Sequence, residues 1–534
     1  MRNLMVKVVI VTLVIFSLSF SQALAGDYLS CEAPVETASG MVKGKADENT
    51  SSCSWKGIPY AAPPVGELRF RAPEPPALHE GVFEAYEFGP ACIQKEGLGA
   101  GGKSIYGLSE DCLTLNIWRP VRSGTFPVMV WIHGGGLSVG SSNYEMYEGA
   151  RLAADQDVVV VSINYRLNVF GFFAHPDAAK EDPNGSTGNY GILDQIQALK
   201  WVQKNIAAFG GDPDNVTIFG ESAGGMSVCD LLVSPPAAGL FHRGIIESGA
   251  CDLVTTIEEG YEKGQNLAQA AGCDGPDVLS CLRDIPAEEF FEVYETSKLG
   301  FGSHVDGYVV PDVPIELIRK GNYNRMPVMV GNNKDEVETF LALTGAPLVP
   351  GFLVKMAMRK LFGPRYTEVM AMYPRSEYRR PINRAIAFGN EAFGSRGFMA
   401  AEGISGFDPV YYYSFDWDDY LMGKHLGAFH GLEIPLVFGN IELERDSLRL
   451  VFGRKKATEN ARALSEDMMN YWTNFARTGD PNGPGLSEWP IYNTKTRERI
   501  HLDTTVRARP LTEDEIKRYQ YWADWDVGDA LDLL

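Results

Sequence analysis

Two apolar runs, at Phe126–Ile132 and residues 158–163, dominate the hydrophobic pattern of the chain, the second interrupted only by Ser162. Each is rich in β-branched residues and too short to cross a membrane, which is typical of strands buried on both faces. Residues 147–155 can form a crossover between them, and residues 188–209 carry apolar side chains at helical spacing. Shorter apolar runs predict further strands at residues 216–219, 244–247, 327–331 and 410–415.

The alternation of strands and helices predicts a mostly parallel central sheet with helices on both faces. Beyond Ser248 the pattern predicts helical insertions at residues 253–301 and 341–380, and a late helix over 459–478. Residues 55–76 are rich in proline and glycine, which favours ordered loop over helix. Since no repeat, low-complexity linker or composition break divides the chain, we expect one large α/β domain over residues 26–534.

A serine flanked by small residues follows the predicted strand at 216–219, in the stretch Gly220-Glu221-Ser222-Ala223-Gly224-Gly225. A strand, a glycine-rich turn and then a helical run form the pattern of an elbow that exposes the serine hydroxyl at the end of a strand. Glycine-rich turns with a serine also occur as plain loops. Ser222 is therefore a candidate nucleophile that needs a base, an acid and oxyanion donors elsewhere in the chain.

In the chain order serine, acid, histidine, two histidines fit the position of the base. His430 lies in a loop after the strand at 410–415, and His425 is the alternative. Asp335 and Glu336 directly follow the strand at 327–331, where catalytic groups of open α/β sheets gather, and the spacing does not choose between them. Asp306 and Asp312 are weaker candidates for the acid.

Backbone donors for an oxyanion are predicted at a second glycine-rich turn. Gly134, Gly135 and Gly136 follow the strand Phe126–Ile132, and without side chains their N–H groups can approach Ser222 closely. The N–H of Ala223, at the start of the helix after the elbow, would complete the set.

The chain has 534 residues and a formal net charge of −21. This charge argues against a nucleic-acid partner and against binding to anionic membrane surfaces. Residues 1–25 have a basic start, an apolar centre and the exit Ala23-Leu24-Ala25, which predicts a signal peptide cleaved after Ala25. The apolar centre is too short to favour a membrane span. We expect a secreted or periplasmic protein without stable membrane insertion.

Eight cysteines follow the predicted signal peptide, an even number that suggests disulfides in an exported protein. Their spacing allows loops closed by Cys273–Cys281, Cys92–Cys112 and Cys31–Cys53, whereas Cys229 and Cys251 could pair or Cys229 could be a buried thiol. The segment 92–112 contains five glycines and is expected to be a surface loop. The sequence contains no spaced His/Cys ligand set, so neither a metal nor an organic cofactor is predicted.

Several motifs in consistent order resemble the type-B carboxylesterase and cholinesterase family, including its bacterial secreted members. The motifs are Phe219-Gly220-Glu221-Ser222-Ala223-Gly224-Gly225, Ser109-Glu110-Asp111-Cys112-Leu113, Lys56-Gly57-Ile58-Pro59-Tyr60-Ala61, Asn164-Tyr165-Arg166 and Gly427-Ala428-Phe429-His430-Gly431. The resemblance runs from about Val35 to the last helix. It implies an α/β-hydrolase fold, a Ser222, Glu336 and His430 triad, and oxyanion donors at Gly135, Gly136 and Ala223.

The resemblance also implies structural pairs that the residues alone do not specify. It pairs Cys92 with Cys112 and Cys273 with Cys281 as disulfides, and Arg69 with Glu110 and Arg166 with Asp194 as ion pairs. Ser248 resembles a second serine that forms a hydrogen bond behind the triad and supports it.

The chain departs from the cholinesterase pattern where a quaternary ammonium would bind. The loop over residues 92–112 contains Tyr106 and no tryptophan, and Thr339, beside Phe340, stands where the family has an aromatic residue. Choline esters are therefore not expected as the dedicated substrate. Leu137, Thr339 and Phe340 are candidate pocket residues, although each could be ordinary packing.

Together these features predict a serine hydrolase that cleaves small-molecule carboxylic esters through an acyl-enzyme. An acyltransferase would use the same acyl-enzyme with an alcohol in place of water. A non-catalytic adhesion or binding protein is the alternative from another class, disfavoured because every catalytic position is filled. The sequence makes no prediction of oligomeric state.

Overall fold

The computed structural model describes most of the chain. The described ranges are residues 30–96, 105–343, 349–378, 380–420, 422–442 and 455–525. The predicted signal peptide, residues 1–25, lies outside them, as does part of the predicted surface loop between Cys92 and Cys112.

An eleven-stranded mixed sheet forms the centre of the described fold. The strands of the described chain are β1 (Val35–Thr37), β2 (Gly40–Lys43), β3 (Lys45–Ala46), β4 (Ser52–Pro59), β5 (Val82–Glu84), β6 (Ala91–Cys92), β7 (Leu108–Ser109), β8 (Thr114–Pro120), β9 (Phe126–Ile132), β10 (Val159–Ile163), β11 (Gly211–Glu221), β12 (Arg243–Glu247), β13 (Thr255–Thr256), β14 (His304–Val305), β15 (Val328–Asn333), β16 (Val410–Phe415), β17 (Glu498–Leu502) and β18 (Arg507–Pro510). The order across the central sheet is β18-β17-β16-β15-β12-β11-β9-β10-β8-β4-β3, and the remaining strands form small separate sheets. Strands β9 to β12 and β15 to β17 run parallel where they pair, and antiparallel strands complete both edges.

The helices cover both faces of this sheet. They are α1 (Ala150–Gln156), α2 (Asn168–Phe172), α3 (Pro176–Glu181), α4 (Tyr190–Asn205), α5 (Ala223–Val233), α6 (Ile257–Ala270), α7 (Val278–Asp284), α8 (Ala287–Ser297), α9 (Pro314–Arg319), α10 (Glu338–Leu343), α11 (Gly351–Phe362), α12 (Tyr366–Met372), α13 (Pro381–Ile404), α14 (Gly423–Leu426), α15 (Ile434–Val437), α16 (Lys455–Thr478) and α17 (Glu513–Ala523).

Strand β9 shows why a continuous apolar run is required at the centre. Successive side chains of a strand point to opposite faces of its sheet. Val128 and Val130 pack into the core beneath α4 and α5, whereas Met129 and Trp131 pack into a second core beneath α1 and α16. Because both faces are buried, the strand has no polar face, and all seven of its residues are buried.

The observed architecture confirms the predicted α/β fold with a mostly parallel sheet, and differs from the expectation in some boundaries. Strand β4 runs through Pro59, so the first part of residues 55–76 is strand instead of loop. The register of its pairing with β8 shifts between Trp55 and Ile58, on either side of Gly57. This irregularity explains why the sequence here predicts a loop. Strand β15 extends through Asn333 and so brings its end directly to the candidate acids.

Four disulfides tie the fold together, Cys31–Cys53, Cys92–Cys112, Cys229–Cys251 and Cys273–Cys281. Cys229, in α5, is bonded to Cys251 and is therefore not a buried thiol. No helix in the described part of the chain combines the length and the apolar character needed to cross a membrane.

Candidate active site

Ser222 stands at a sharp turn between β11 and α5. Its φ of 57° and ψ of −121° lie in a sparsely populated region, which costs about 1 to 3 kcal/mol and is held by the surrounding packing. The following turn passes so close to β9 that a Cβ on Gly224 would lie 2.0 Å from the carbonyl oxygen of Ile132. A larger residue would push the turn away from the sheet, so the glycine is what allows the elbow to form.

The second glycine turn lies directly over the elbow. A Cβ on Gly134 would lie 3.1 Å from Cβ of Ser222. Gly135 and Gly136 follow with φ angles of 110° and 61°. Within the described residues, the N–H groups of Gly135, Gly136 and Ala223 donate no hydrogen bond to the protein. Three unused backbone donors therefore lie close to the Ser222 side chain.

His430 reaches this site from the loop between α14 and α15. Its Nδ1 lies 2.6 Å from Oε2 of Glu336, which follows β15 and is fully buried. The other oxygen, Oε1, accepts hydrogen bonds from Ser248 Oγ at 2.6 Å and from the Asn333 N–H at 2.8 Å. The Glu336 carboxylate is thus fixed on one side and orients the imidazole with the other.

The structure brings Ser222, Glu336 and His430 to one site, but it does not close the last hydrogen bond. Among the described residues, no hydrogen bond joins Ser222 Oγ to Nε2 of His430. That nitrogen lies instead 3.1 Å from Oε1 of Glu221, the residue before the serine. Base and nucleophile often align only when substrate is bound, so this geometry describes the free site.

The electrostatics of His430 follow from its two carboxylate neighbours. Burial lowers the pKa of His430, but attraction to Glu221 and Glu336 outweighs burial and raises the pKa above that of an ordinary histidine. Burial raises the pKa of Glu221, with His430 opposing this and Glu336 adding to it. Both carboxylates therefore favour the protonated ring over the neutral ring that a general base requires.

The alternative acid and base have other positions. The Asp335 carboxylate accepts a hydrogen bond from the Ala428 N–H at 2.9 Å and so anchors the loop that carries His430. A Cβ on Gly427 would lie 2.1 Å from the same carboxylate, so the loop requires glycine there. His425 is exposed on α14.

Of the three candidate pocket residues, Phe340 contacts the site most directly. Its ring centroid lies 5.1 Å from that of His430, and its side chain is 42% exposed. Leu137 is buried beside the glycine turn, and Thr339 is half-buried on α10. The ring of Phe393, on α13, lies 5.3 Å from His430 on a different element, and sequence reasoning missed it.

Sequence reasoning also missed a cluster of buried carboxylates behind the site. Trp472 Nε1 donates to Glu247 Oε1 at 2.7 Å, and burial raises the pKa of Glu247 to about 8. Asn333 donates to Glu433, whose pKa burial raises well above its usual value. Glu221 belongs to the same cluster. Its place beside the serine was visible in the sequence, but its contact with His430 depends on the tertiary fold.

The two structural ion pairs implied by the family resemblance are both formed. Arg69 lies 2.6 Å from Glu110, and Arg166 lies 2.7 Å from Asp194. All four side chains are nearly or fully buried, so these charges are part of the interior and not of the surface.

Comparisons with known proteins identify the family of the chain. A model described as the carboxylesterase family matches residues 32–522. The para-nitrobenzyl esterase of Bacillus subtilis is 36% identical over 495 residues, which cover 90% of this chain and 97% of that protein. The human cocaine esterase is 35% identical over 530 residues, which cover 92% of this chain and 91% of that protein.

Solved structures show the same similarity. A PNB esterase structure superposes with a TM-score of 0.79 at 34% identity, covering 91% of this chain and 99% of that one. A Geobacillus stearothermophilus carboxylesterase gives a TM-score of 0.78 at 35% identity, covering 92% and 100%. The chain therefore belongs to the carboxylesterase family, with the α/β-hydrolase fold, and is a serine hydrolase of carboxylic esters.

Proposed function

We propose that Ser222, Glu336 and His430 form the catalytic triad and that Gly135, Gly136 and Ala223 form the oxyanion hole. The observation that carries the proposal is the 2.6 Å contact between His430 Nδ1 and the buried Glu336 carboxylate, beside the strained serine. A base held in one orientation near a partly exposed serine is the arrangement that nucleophilic acyl transfer requires.

The reaction begins when neutral His430 takes the Ser222 proton on Nε2 and Ser222 Oγ attacks the ester carbonyl. The carbonyl oxygen gains negative charge and moves to the N–H groups of Gly135, Gly136 and Ala223, which have no partner among the described residues. Removing one such donor typically costs about 10²-fold or more in rate.

Collapse of the tetrahedral intermediate breaks the bond to the alcohol, which leaves with the proton from His430. The acyl group then remains on Ser222 Oγ. His430 next takes a proton from water, and the hydroxide attacks the acyl-enzyme to release the acid and free Ser222. Glu336 orients the ring and stabilises the imidazolium in both halves of the cycle.

The aromatic side chains around His430 favour esters with an apolar or aromatic group. Phe340 and Phe393 approach the imidazole from α10 and α13, with ring centroids 5.1 and 5.3 Å away. Relatives named para-nitrobenzyl esterase and cocaine esterase suggest aromatic esters as first substrates.

Water is the acyl acceptor in this proposal. An alcohol as acceptor would make the same site that of an acyltransferase.

We further propose that the mature protein is exported after cleavage of residues 1–25. Four disulfides support this, since structural disulfides persist in oxidising compartments.

The direct test is hydrolysis of p-nitrophenyl esters from acetate to palmitate by the mature protein, with and without added alcohol. Turnover of the series with release of free acid supports the proposal, and the preferred acyl length measures the size of the acyl pocket. Product that partitions wholly into a new ester in the presence of alcohol would identify an acyltransferase. No turnover by folded protein would exclude the proposed reaction on these esters.

A further inference from the structure

The surface of α11 exposes apolar and basic side chains together. Phe352 is 64% exposed, Leu353 42% and Met356 60%. Of the twelve large apolar side chains that are exposed in the described residues, five lie between positions 340 and 356. We define the α11 patch as Phe352, Leu353, Lys355, Met356, Arg359 and Lys360.

The orientation of this patch is fixed by the opposite face of the helix. Val354, Met358 and Phe362 follow at four-residue spacing and are buried in a small separate core with Trp522. Because residues four apart share one helix face, the side chains of the patch must point away from that core.

The charge of this region is opposite to that of the whole chain. Residues 351–384 contain eight lysines and arginines against two glutamates, a net charge of +6 in a chain of net charge −21. Exposed charges farther away than about 8 Å are largely screened at physiological salt. A ligand at the patch therefore experiences the local positive charge, and the net charge of the protein does not describe this surface.

The basic side chains of the patch are free to meet a partner. Within the described part of the chain, no ion pair involves Lys355, Arg359 or Lys360, and all three are exposed. The Arg359 guanidinium lies 5.3 Å from the ring centroid of Tyr366, which orients it without neutralising its charge.

We propose that the α11 patch docks the protein peripherally onto an anionic lipid bilayer. Interfacial helices combine apolar side chains that enter the acyl boundary with lysines and arginines that reach the headgroups. Here Phe352 and Met356 occupy the middle of the outward face, with Lys360 following at the same spacing. A second copy of the chain fits this surface less well. A stable dimer buries roughly 20 to 30 residues on each side, and this patch has three exposed apolar side chains on one helix.

Docking would place the site on the order of 20 Å from the start of α11, along α13. A Cβ on Gly351, at the start of α11, would lie 3.1 Å from Pro381, at the start of α13. Phe393 follows on α13, about 18 Å further along the helix axis, and contacts His430. Esters that partition into lipid would be concentrated near the site.

Co-sedimentation of the mature protein with phosphatidylcholine vesicles, with and without phosphatidylglycerol, tests this proposal independently of catalysis. Three variants are compared with the wild type: Lys355→Glu/Arg359→Glu/Lys360→Glu, its milder Gln counterpart, and Phe352→Ser/Met356→Ser. The matched control is Ile491→Ser/Lys495→Glu, which changes an exposed apolar side chain and an exposed basic side chain outside α11. This pair lies near the start of β16, where the Tyr492 N–H donates a hydrogen bond to the Val410 carbonyl. Circular dichroism checks that each variant is folded.

The wild type and the control are expected to bind only the anionic vesicles, and high salt should weaken this binding. Charge reversal should lower the affinity by at least about 100-fold, since each basic side chain near the surface contributes about fivefold. The Gln and Ser variants should show smaller losses. Equal binding to both vesicle types, no binding by the wild type, or wild-type binding by the charge-reversal variant would overturn the proposal. A dimer that the charge-reversal variant dissociates, together with no vesicle binding, would identify the patch as a self-interface.

Discussion

Nε2 of His430 lies 3.1 Å from Oε1 of Glu221, the residue immediately before the candidate nucleophile. The nitrogen that accepts the serine proton in the proposed mechanism is therefore in contact with a second carboxylate, while Nδ1 is held by Glu336. This contact stabilises the protonated ring, which cannot act as a base. The site thus couples the strength of the base to the charge of a residue outside the triad.

Replacing Glu221 by Gln should shift the acid limb of the pH profile of kcat/KM to lower pH, by about one unit. The carboxylate raises the pKa of His430, so its removal lets the ring lose its proton at lower pH. An exposed control, Glu513→Gln, should leave the limb unchanged. A limb that stays in place or moves to higher pH in Glu221→Gln would contradict this relationship.

The two glycines of the proposed oxyanion hole should respond differently to alanine. A Cβ on Gly135 would lie 2.0 Å from the Val139 carbonyl oxygen, whereas a Cβ on Gly136 meets nothing within 4 Å. Gly135→Ala should therefore displace the turn and lower kcat by about 10²-fold or more. Gly136→Ala adds only backbone strain of about 1 to 2 kcal/mol and should lower kcat less. The measurement is steady-state kinetics on a p-nitrophenyl ester, and equal losses would mean that the turn does not position the donors.

Glu247 should make the folded protein less stable as the pH rises. Its folded pKa of about 8 exceeds the ordinary value of 4.5, so the folded state binds the extra proton between these values and stability falls as pH increases through this window. Glu247→Gln removes the titration. Its free energy of unfolding relative to wild type should therefore be higher at pH 9 than at pH 5, as measured by urea denaturation. The control Glu288→Gln, at an exposed position, should have the same free energy of unfolding as the wild type at both pH values. If the difference in free energy of unfolding between Glu247→Gln and the wild type does not depend on pH, the raised pKa of Glu247 is refuted.

The disulfide between Cys229 and Cys251 joins the elbow helix to the segment after Ser248. It closes a loop with a sequence separation of 22, whereas Cys273 and Cys281 are separated by 8. Replacing both cysteines of the longer loop by alanine should destabilise the protein by about 3 kcal/mol, somewhat more than the same change in the shorter loop. Differential scanning calorimetry of the two double variants provides the comparison. A larger effect for the shorter loop would show that strain or packing outweighs loop entropy.

The sequence predicts the centre of this fold well, because buried parallel strands have a local signature. Phe126–Ile132 and Val410–Phe415 have the predicted bounds, since each run is buried on both faces and bounded by turn residues. The second half of β4, from Trp55 to Pro59, is predicted as loop because its glycine and proline resemble a turn, and the antiparallel pairing with β8 overrides that local preference. The order of strands across the sheet depends on contacts between distant segments and was not predicted.

The candidate site was predictable in its motifs but not in its electrostatics. Spacing could not choose between Asp335 and Glu336, because adjacent residues point in different directions and only the fold decides which one meets His430. The contact of Glu221 with His430, and the approach of Phe393, join residues far apart in the chain. Burial gives these carboxylates their raised pKa values, and burial is a property of the folded state.

The central claim is that Ser222 carries the acyl group, and intact-protein mass spectrometry with peptide mapping after exposure to a fluorophosphonate tests it most directly. Ser248→Ala is the matched control, since Ser248 lies behind Glu336 and touches its carboxylate. Wild type and Ser248→Ala should gain one adduct, mapped to Ser222, and Ser222→Ala should gain none and lose ester hydrolysis. An adduct on folded Ser222→Ala at the wild-type rate, or an adduct mapped to Ser248 in the wild type, would contradict the account.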